Sequence, residues 1–211
     1  MDIHSLFAFV QEICEKYGID ESHGLKHSMG TVSWAEKLSM KYDDITADEN
    51  MVIIYSAALH DMCDSKYRNL NEACSEIKTW LLNHNCTEDL ASVVINIITT
   101  MSYSKLKMAQ IDGKPKIYPN HGKWQRAYHI VRHADLLEAY RVVRCYLYSK
   151  HRKPVCSEDE LWAEIRKIFD ERVFKYVSDG WIFLDQALQF VPDLEREALR
   201  CFTERDCTYL L

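Results

Sequence analysis

Two histidines and two aspartates, spread over three predicted helices, have the side-chain types that bind a divalent metal ion. His60 and Asp61 close a strongly apolar stretch, His27 lies 33 residues before His60, and Asp135 lies inside the apolar stretch 130–139. Alone, the His60-Asp61 pair could be a helix end that reaches solvent. A carboxylate on an apolar helix, however, is costly to bury unless it is paired or bound to a metal. Because the set needs no thiolate, it suits a borderline or hard cation, and we predict one metal site formed by all four residues.

Further polar residues beside these four could act on a phosphate. Asp64, three residues after Asp61, is the candidate general acid or base, and Lys66 is the candidate cation for developing negative charge. His23 lies four residues before His27, so that on a helix both would face one way; it could contact phosphate or transfer a proton. Each has a structural alternative, since Asp64 and Lys66 could form a surface ion pair and His23 could cap a helix.

Three short blocks around these residues resemble the HD-domain phosphohydrolase superfamily. Its signature is a histidine on one helix, a His-Asp pair at the end of a later helix and a distant aspartate, which the four predicted ligands match. Residues 22–27 (SHGLKH), 60–67 (HDMCDSKY) and 134–139 (ADLLEA) look like the SHDxxH, HDxxDxKF and ADRLDA stretches of the small stand-alone HD nucleotide pyrophosphohydrolases. The blocks have the same order and spacing and span about residues 20 to 145.

The chain departs from this subgroup beside the ligands and not at them. Gly24 stands where the subgroup often has Asp, Tyr67 replaces Phe, and Leu136 replaces a basic residue.

The resemblance implies a metal-dependent phosphohydrolase that acts on a small phosphorylated metabolite. A nucleoside triphosphate, split to monophosphate and pyrophosphate, is the favoured substrate, and the single ion would be Mn, Mg, Fe, Co or Ni. A 5′-nucleotidase or other phosphomonoesterase of the same fold is the first alternative, followed by a cyclic-nucleotide or alarmone hydrolase. A non-catalytic nucleotide sensor is the alternative outside enzymes, although a sensor has usually lost one of the four ligands. His84 and His121 leave a dinuclear site open.

Two groups of residues further along the chain could contact the substrate. Similar enzymes place a hydroxyl-rich segment after the fifth helix near the substrate, so Ser102, Ser104 and Lys105 are candidate phosphate-binding residues. A solvated helix end is the equal alternative for this segment. Arg141 and Arg144 follow Asp135 by six and nine residues, and we expect them on a solvated face.

Charge and cysteine content exclude several classes of protein. The net charge of −6 and pI of about 5.8 disfavour binding to nucleic acid. Eight cysteines without a CxxC pair indicate reduced thiols in a cytosolic protein. The longest clean apolar run, about Met51 to Leu59, is too short for a membrane span, so we expect a cytoplasmic location; the oligomeric state is not predicted.

Apolar residues recur at helical spacing almost throughout, which predicts an all-α, compact single-domain bundle of about eight helices over residues 1–211. The predicted helices are one ending at Gly18, then about 25–42, 47–62, 70–82, 87–100 and 124–149, and one or two C-terminal helices within about 157–205 that pack on the core. Thr46 with Glu49 and Ser157 with Glu160 are predicted capping boxes. The segment 108–122 is the predicted long loop, with a small β-hairpin near 110–120 as the alternative.

The remaining histidines and tryptophans of interest have structural interpretations. We expect His129 and His133 to be ordinary helix residues and Trp124, Trp162 and Trp181 to belong to the core.

Overall fold

A computed structural model describes residues 2–110, 116–152 and 155–207, and these residues form helices and no strand. The helices are α1 (Ile3–Tyr17), α2 (Leu25–Ser39), α3 (Ala47–Leu59), α4 (Leu70–Asn83), α5 (Glu88–Thr100), α6 (Tyr103–Ala109), α7 (Gln125–Glu138), α8 (Val142–Arg152), α9 (Glu158–Glu171), α10 (Asp185–Leu188) and α11 (Val191–Glu204). Single 3₁₀ turns cover Gly122–Trp124 and Val173–Lys175.

The all-α prediction is therefore confirmed, but the prediction of about eight helices is wrong. Within the described ranges there are ten helices of seven residues or more, besides the four-residue α10. Three α-helices occupy the C-terminal region where one or two were expected, and α6 begins before the predicted long loop. Of the alternative hairpin near 110–120, residues 111–115 lie outside the described residues, and residues 110 and 116–120 are not in a strand.

Helix ends follow the predicted capping residues. Gly18 ends α1 with φ 66°, a left-handed conformation that glycine adopts without strain. At α9, Ser157 and Glu160 form the predicted reciprocal capping box. At α3, the Thr46 hydroxyl accepts from the Glu49 amide at 3.1 Å, while the Glu49 carboxylate is held by Arg126 of α7. The Glu49 side chain, which was expected to complete the cap of α3, thus connects α3 to α7.

The second, third and seventh helices form the centre of the fold. α3 packs against α2, α5 and α7, and every residue from Val52 to Leu59 is buried, which explains why this helix is apolar on all faces. α2 packs against both α3 and α7. Gly30 on α2 allows the closest approach, because a Cβ at this position would overlap the carboxylate of Glu138 on α7. The backbone of α2, which carries His27, thereby contacts the Glu138 side chain of α7, which carries Asp135.

The predicted continuous helix over 124–149 is wrong, because the chain bends between Glu138 and Val142. The amides of Tyr140 and Arg141 bond the carbonyls three residues before them, at 3.2 and 3.1 Å, which tightens and ends α7. On a continuous helix, at about 100° per residue, Arg144 would face away from Asp135. The bend instead brings the Arg144 guanidinium to 3.6 Å from the Asp135 carboxylate.

Replacing Gly30 with alanine tests the contact between α2 and α7. In an ordinary helix interior, Gly→Ala stabilises by up to about 1 kcal/mol. Here the added methyl group overlaps the Glu138 carboxylate, which has little room to move because it is 2% exposed and paired with Arg141, so we expect Gly30→Ala to lower the free energy of unfolding by about 1–3 kcal/mol. Urea unfolding measures the change.

The matched control is Ser33→Ala, at an exposed position of the same helix, which should change stability little. A Gly30→Ala protein more stable than the parent would contradict the close approach of the two helices.

Candidate metal centre

Two imidazoles meet at the centre of the site. His27 lies in the first turns of α2, and His60 follows the last residue of α3, so both are fixed by buried helices. Their Nε2 atoms lie 2.9 Å apart. Nδ1 of His60 lies 2.8 Å from the Ala57 carbonyl, to which only a protonated Nδ1 can donate. Nε2 of the neutral His60 ring is therefore an acceptor with its lone pair toward the site.

The two predicted carboxylate ligands flank these imidazoles. Asp61 Oδ2 lies 3.4 Å from the Nε2 atoms of both His27 and His60. Asp135 Oδ1 lies 3.4 Å from His27 Nε2 and 3.6 Å from His60 Nε2. Asp61 Oδ2 is buried and accepts no hydrogen bond from the described residues. These donor atoms come from three helices and their ends: His27, His60 and Asp61 are close enough to one another to hold one ion, and Asp135 lies outside that group but near both imidazoles.

The spacing of the donor atoms suits a divalent cation. Neighbouring ligands that lie about 2.0–2.2 Å from one ion are separated by about 3.0–3.4 Å. The donor atoms of His27, His60 and Asp61 all lie within 4.8 Å of one another, and Asp135 adds an oxygen near both imidazoles. The residues present therefore fit a metal ion with mixed nitrogen and oxygen ligands.

The electrostatic field at this point favours positive charge. Burial disfavours the charged form of His60, but the carboxylates of Asp61 and Asp135 outweigh it and raise the pKa of His60 to about 9. Burial also disfavours the charged form of Asp61, and the imidazoles of His60 and His27 nevertheless hold its pKa far below the usual range. The pKa of Asp135 is also lowered against burial, by the proximity of the same two imidazoles.

Arg144 is a member of the site that the sequence did not place there. Its Nη2 lies 3.7 Å from Asp61 Oδ2, its Nη1 lies 3.6 Å from Asp135 Oδ1, and its Nε donates to the Ser22 carbonyl. The expectation of a solvated face is therefore wrong for Arg144, whose side chain is 17% exposed. The helical periodicity of the sequence could not predict the position of Arg144, because the apolar pattern gives no indication of the bend after α7. Arg141 instead pairs with the Glu138 carboxylate at 2.6 Å.

The three predicted catalytic residues lie together beside the predicted metal ligands. Lys66 Nζ lies 3.1 Å from Asp64 Oδ2 and 3.2 Å from His23 Nε2. The predicted alternative of an ion pair between Asp64 and Lys66 is thus also present, and the pair extends to His23. The residue that caps α2 is Gly24, so His23 is not the helix cap. Burial lowers the pKa of His23 to about 4, with a further contribution from the positive charge of Arg144.

Asp20 is a second residue that the sequence did not single out. Its carboxylate accepts from the Ser22 amide at 2.9 Å and from the Tyr67 hydroxyl at 2.7 Å. Ser22 Oγ and Tyr67 Oη lie 2.6 and 3.5 Å from His23 Nδ1. An acid thus lies behind His23 although Gly24 replaces the aspartate of the related motif. The position of Asp20 depends on the path of the loop between α1 and α2, which the sequence pattern does not predict.

A cavity of about 560 Å³ opens beside the candidate metal centre. Ser102, Ser104 and Lys105, the predicted substrate-binding residues, line it together with Lys66. Its charged lining consists of the carboxylates Asp61, Asp64 and Asp135 and of four cations, Lys66, Lys105, Arg144 and Arg172. Arg172, Tyr148 and Tyr176 were not singled out from the sequence, because α8, α9 and the turn after α9 carry no recognisable motif.

The other histidines are engaged elsewhere in the fold. His84 Nδ1 bonds the Trp80 carbonyl at 2.8 Å, and His121 Nε2 lies 3.2 Å from Thr100 Oγ1. His133 accepts from the amides of Phe183 and Leu184, and His129 contacts Gln125. The group of potential ligands found in the described part of the chain includes none of these four histidines.

No family model, no curated protein and no solved structure matches this chain. Among the described residues, no helix combines the length and the apolar character that crossing a membrane requires.

Arg144 provides a sharp test of the metal centre, because its guanidinium competes with a cation for two carboxylates. We expect Arg144→Gln to bind Mn²⁺ about tenfold more tightly than the parent, since about 4 Å of separation gives strong coupling in a partly buried site. Asp135→Asn should bind Mn²⁺ at least about tenfold more weakly. The electron paramagnetic resonance signal of free Mn²⁺ measures both affinities.

Arg141→Gln is the matched control, because Arg141 pairs with Glu138 and should leave Mn²⁺ affinity unchanged. Weaker Mn²⁺ binding by Arg144→Gln than by the parent would show that the guanidinium does not compete with the ion.

Proposed function

We propose that this chain is an HD-type metal-dependent phosphohydrolase that acts on a small phosphorylated metabolite. The favoured reaction is hydrolysis of a nucleoside triphosphate to the monophosphate and pyrophosphate. The observation that carries the proposal is the convergence of His27 Nε2, His60 Nε2, Asp61 Oδ2 and Asp135 Oδ1 beside a cavity of about 560 Å³. The resemblance of the three sequence blocks to HD enzymes is the second support.

The charges of the cavity support an anionic substrate. The whole chain has a net charge of −6, yet four cationic side chains and three carboxylates line this cavity. A bound divalent cation would add two further positive charges. With the divalent ion bound, the positive charges of the cavity outnumber its carboxylates and attract phosphorylated molecules, even though the protein as a whole is acidic.

Each predicted residue has a definite part in the proposed reaction. Hydrolysis forms a bond from a water oxygen to phosphorus and breaks the bond to the leaving oxygen. When bound, the divalent ion polarises a phosphoryl oxygen and lowers the pKa of a water ligand. Asp64 accepts the proton of the attacking water, and Lys66, which Asp64 orients at 3.1 Å, neutralises charge on the phosphoryl group. His23 accepts from Lys66 and holds its ammonium group toward the cavity.

The remaining cavity residues bind and orient the phosphates. Ser102 and Ser104 supply hydroxyl donors, and Lys105 supplies a charged donor from the same segment. Arg144 lies against both carboxylates and adds a planar donor for a phosphate oxygen next to the ion.

Product analysis on a substrate panel tests the function. Metal-stripped protein is given nucleoside mono- and triphosphates, with Mn²⁺, Mg²⁺, Co²⁺ or Ni²⁺ added back singly. We expect pyrophosphate release from triphosphates only when metal is present. Orthophosphate release from monophosphates would instead identify the 5′-nucleotidase. No product with metal bound would contradict the proposal and favour the nucleotide sensor.

Variants in the same assay separate the metal ligands from the catalytic residues. His60→Ala and Asp61→Ala should abolish metal content and activity while the helical circular dichroism persists. Lys66→Ala should lower activity at least about tenfold with metal still bound. Lys78→Ala is the matched control, because Lys78 pairs with Glu88 and does not line the cavity. Full activity of Asp61→Ala would rule out this site.

A further inference from the structure

Arg172 has a guanidinium that is fixed in place without an ion-pair partner. It follows α9 as its C-cap residue. Its Cζ lies 4.4 Å from the centroid of the Tyr103 ring, and its Nε donates to the Tyr176 hydroxyl at 2.8 Å. Both tyrosines are buried, whereas Arg172 is exposed on the wall of the cavity. Among the described residues, no carboxylate pairs with it.

This arrangement leaves the outer edge of the guanidinium available to a ligand. Tyr176 occupies Nε and the Tyr103 ring covers one face, so the two terminal nitrogens remain as donors. A planar guanidinium presents these donors at the spacing of two oxygens of a phosphate. Because the side chain is already held on two sides, little conformational freedom is lost when an anion binds.

Arg172 lies in the same cavity as the metal centre but on different elements. Arg144, on α8, contacts the carboxylates of Asp61 and Asp135, whereas Arg172 contacts the tyrosines that follow α5 and α9. Both arginines act on the Cys145 thiol. Burial raises the pKa of this thiol, and the positive charges of Arg144 and Arg172 both oppose that rise. α8 and α9 pack against each other, and both arginines line the cavity.

We propose that Arg172 is a specificity-determining residue that binds a second anionic group of the substrate, apart from the group bound by the metal ligands and Arg144. This inference rests on the proposed function, since it assigns the two ends of the substrate within the same cavity. It selects molecules with at least two linked phosphoryl groups over phosphomonoesters. Tyr103 and Tyr176 are the positioning residues that keep the guanidinium in place.

Two phosphonates that cannot be hydrolysed separate binding from turnover. Methylenediphosphonate carries two linked anionic groups and methylphosphonate carries one, and neither has a P–O–P or P–O–C bond to cleave. Isothermal titration calorimetry with Mg²⁺-loaded protein gives the affinity for each. We expect Arg172→Gln to weaken methylenediphosphonate binding at least about tenfold and to change methylphosphonate binding by less than about twofold. Arg172→Lys should restore only part of the loss, because an ammonium group lacks the planar pair of donors.

Lys175→Gln, an exposed substitution in the same turn that does not line the cavity, should leave both affinities unchanged. Tyr176→Phe keeps the guanidinium and removes its anchor, so it should show a smaller, selective loss of diphosphonate affinity. Urea unfolding of each variant confirms that the fold persists.

Equal losses for both phosphonates, or an unchanged affinity for methylenediphosphonate in Arg172→Gln, would overturn the inference. The proposed function fails separately, when the parent protein with bound metal hydrolyses no phosphorylated substrate. In that case the selective diphosphonate loss would still support Arg172 as an anion-binding residue.

Discussion

Two carboxylates end beside two imidazoles in the interior of this protein, and a positive charge has to accompany them. Asp61 Oδ2 and Asp135 Oδ1 each lie 3.4–3.6 Å from both His27 Nε2 and His60 Nε2. Buried carboxylates are tolerated only with such compensation. The raised pKa of His60 and the nearby Arg144 guanidinium are two responses to the same field, and a divalent cation would be a third. The neighbouring helices are arranged to maintain this concentration of charge.

The packing of the central helices determines where these groups meet. α3 delivers His60 and Asp61 at its end because its whole apolar length is buried among α2, α5 and α7. The small Gly30 lets α2 approach α7, which sets His27 against Asp135. Because the chain bends after α7, Arg144 on α8 lies near the carboxylates of Asp61 and Asp135 instead of facing away from them. A cavity with an excess of cations in an acidic protein is a direct consequence of this geometry.

Sequence patterns were sufficient to predict the side chains that local helical structure positions. They were insufficient to predict the side chains that tertiary contacts bring to the site. Periodicity and capping residues identified most helices, and the types and spacing of His27, His60, Asp61 and Asp135, together with the resemblance of the three blocks to HD enzymes, predicted that they meet. The bend between Glu138 and Val142 has no glycine or proline to mark it, so one long helix was expected and Arg144 was assigned to solvent. Asp20 and Arg172 reach the site through loops and caps, whose paths depend on contacts with distant parts of the chain.

X-ray absorption spectroscopy of the Co²⁺-loaded protein tests whether these four residues bind a metal ion, because it reports the atoms bound to the ion without requiring a substrate. We expect two imidazole ligands and oxygen ligands at about 2.0–2.2 Å. Replacing His27 with glutamine should reduce the imidazole contribution from two rings to one. A spectrum without imidazole scattering, like that of the hydrated ion, would contradict the assignment of these four residues as a metal centre.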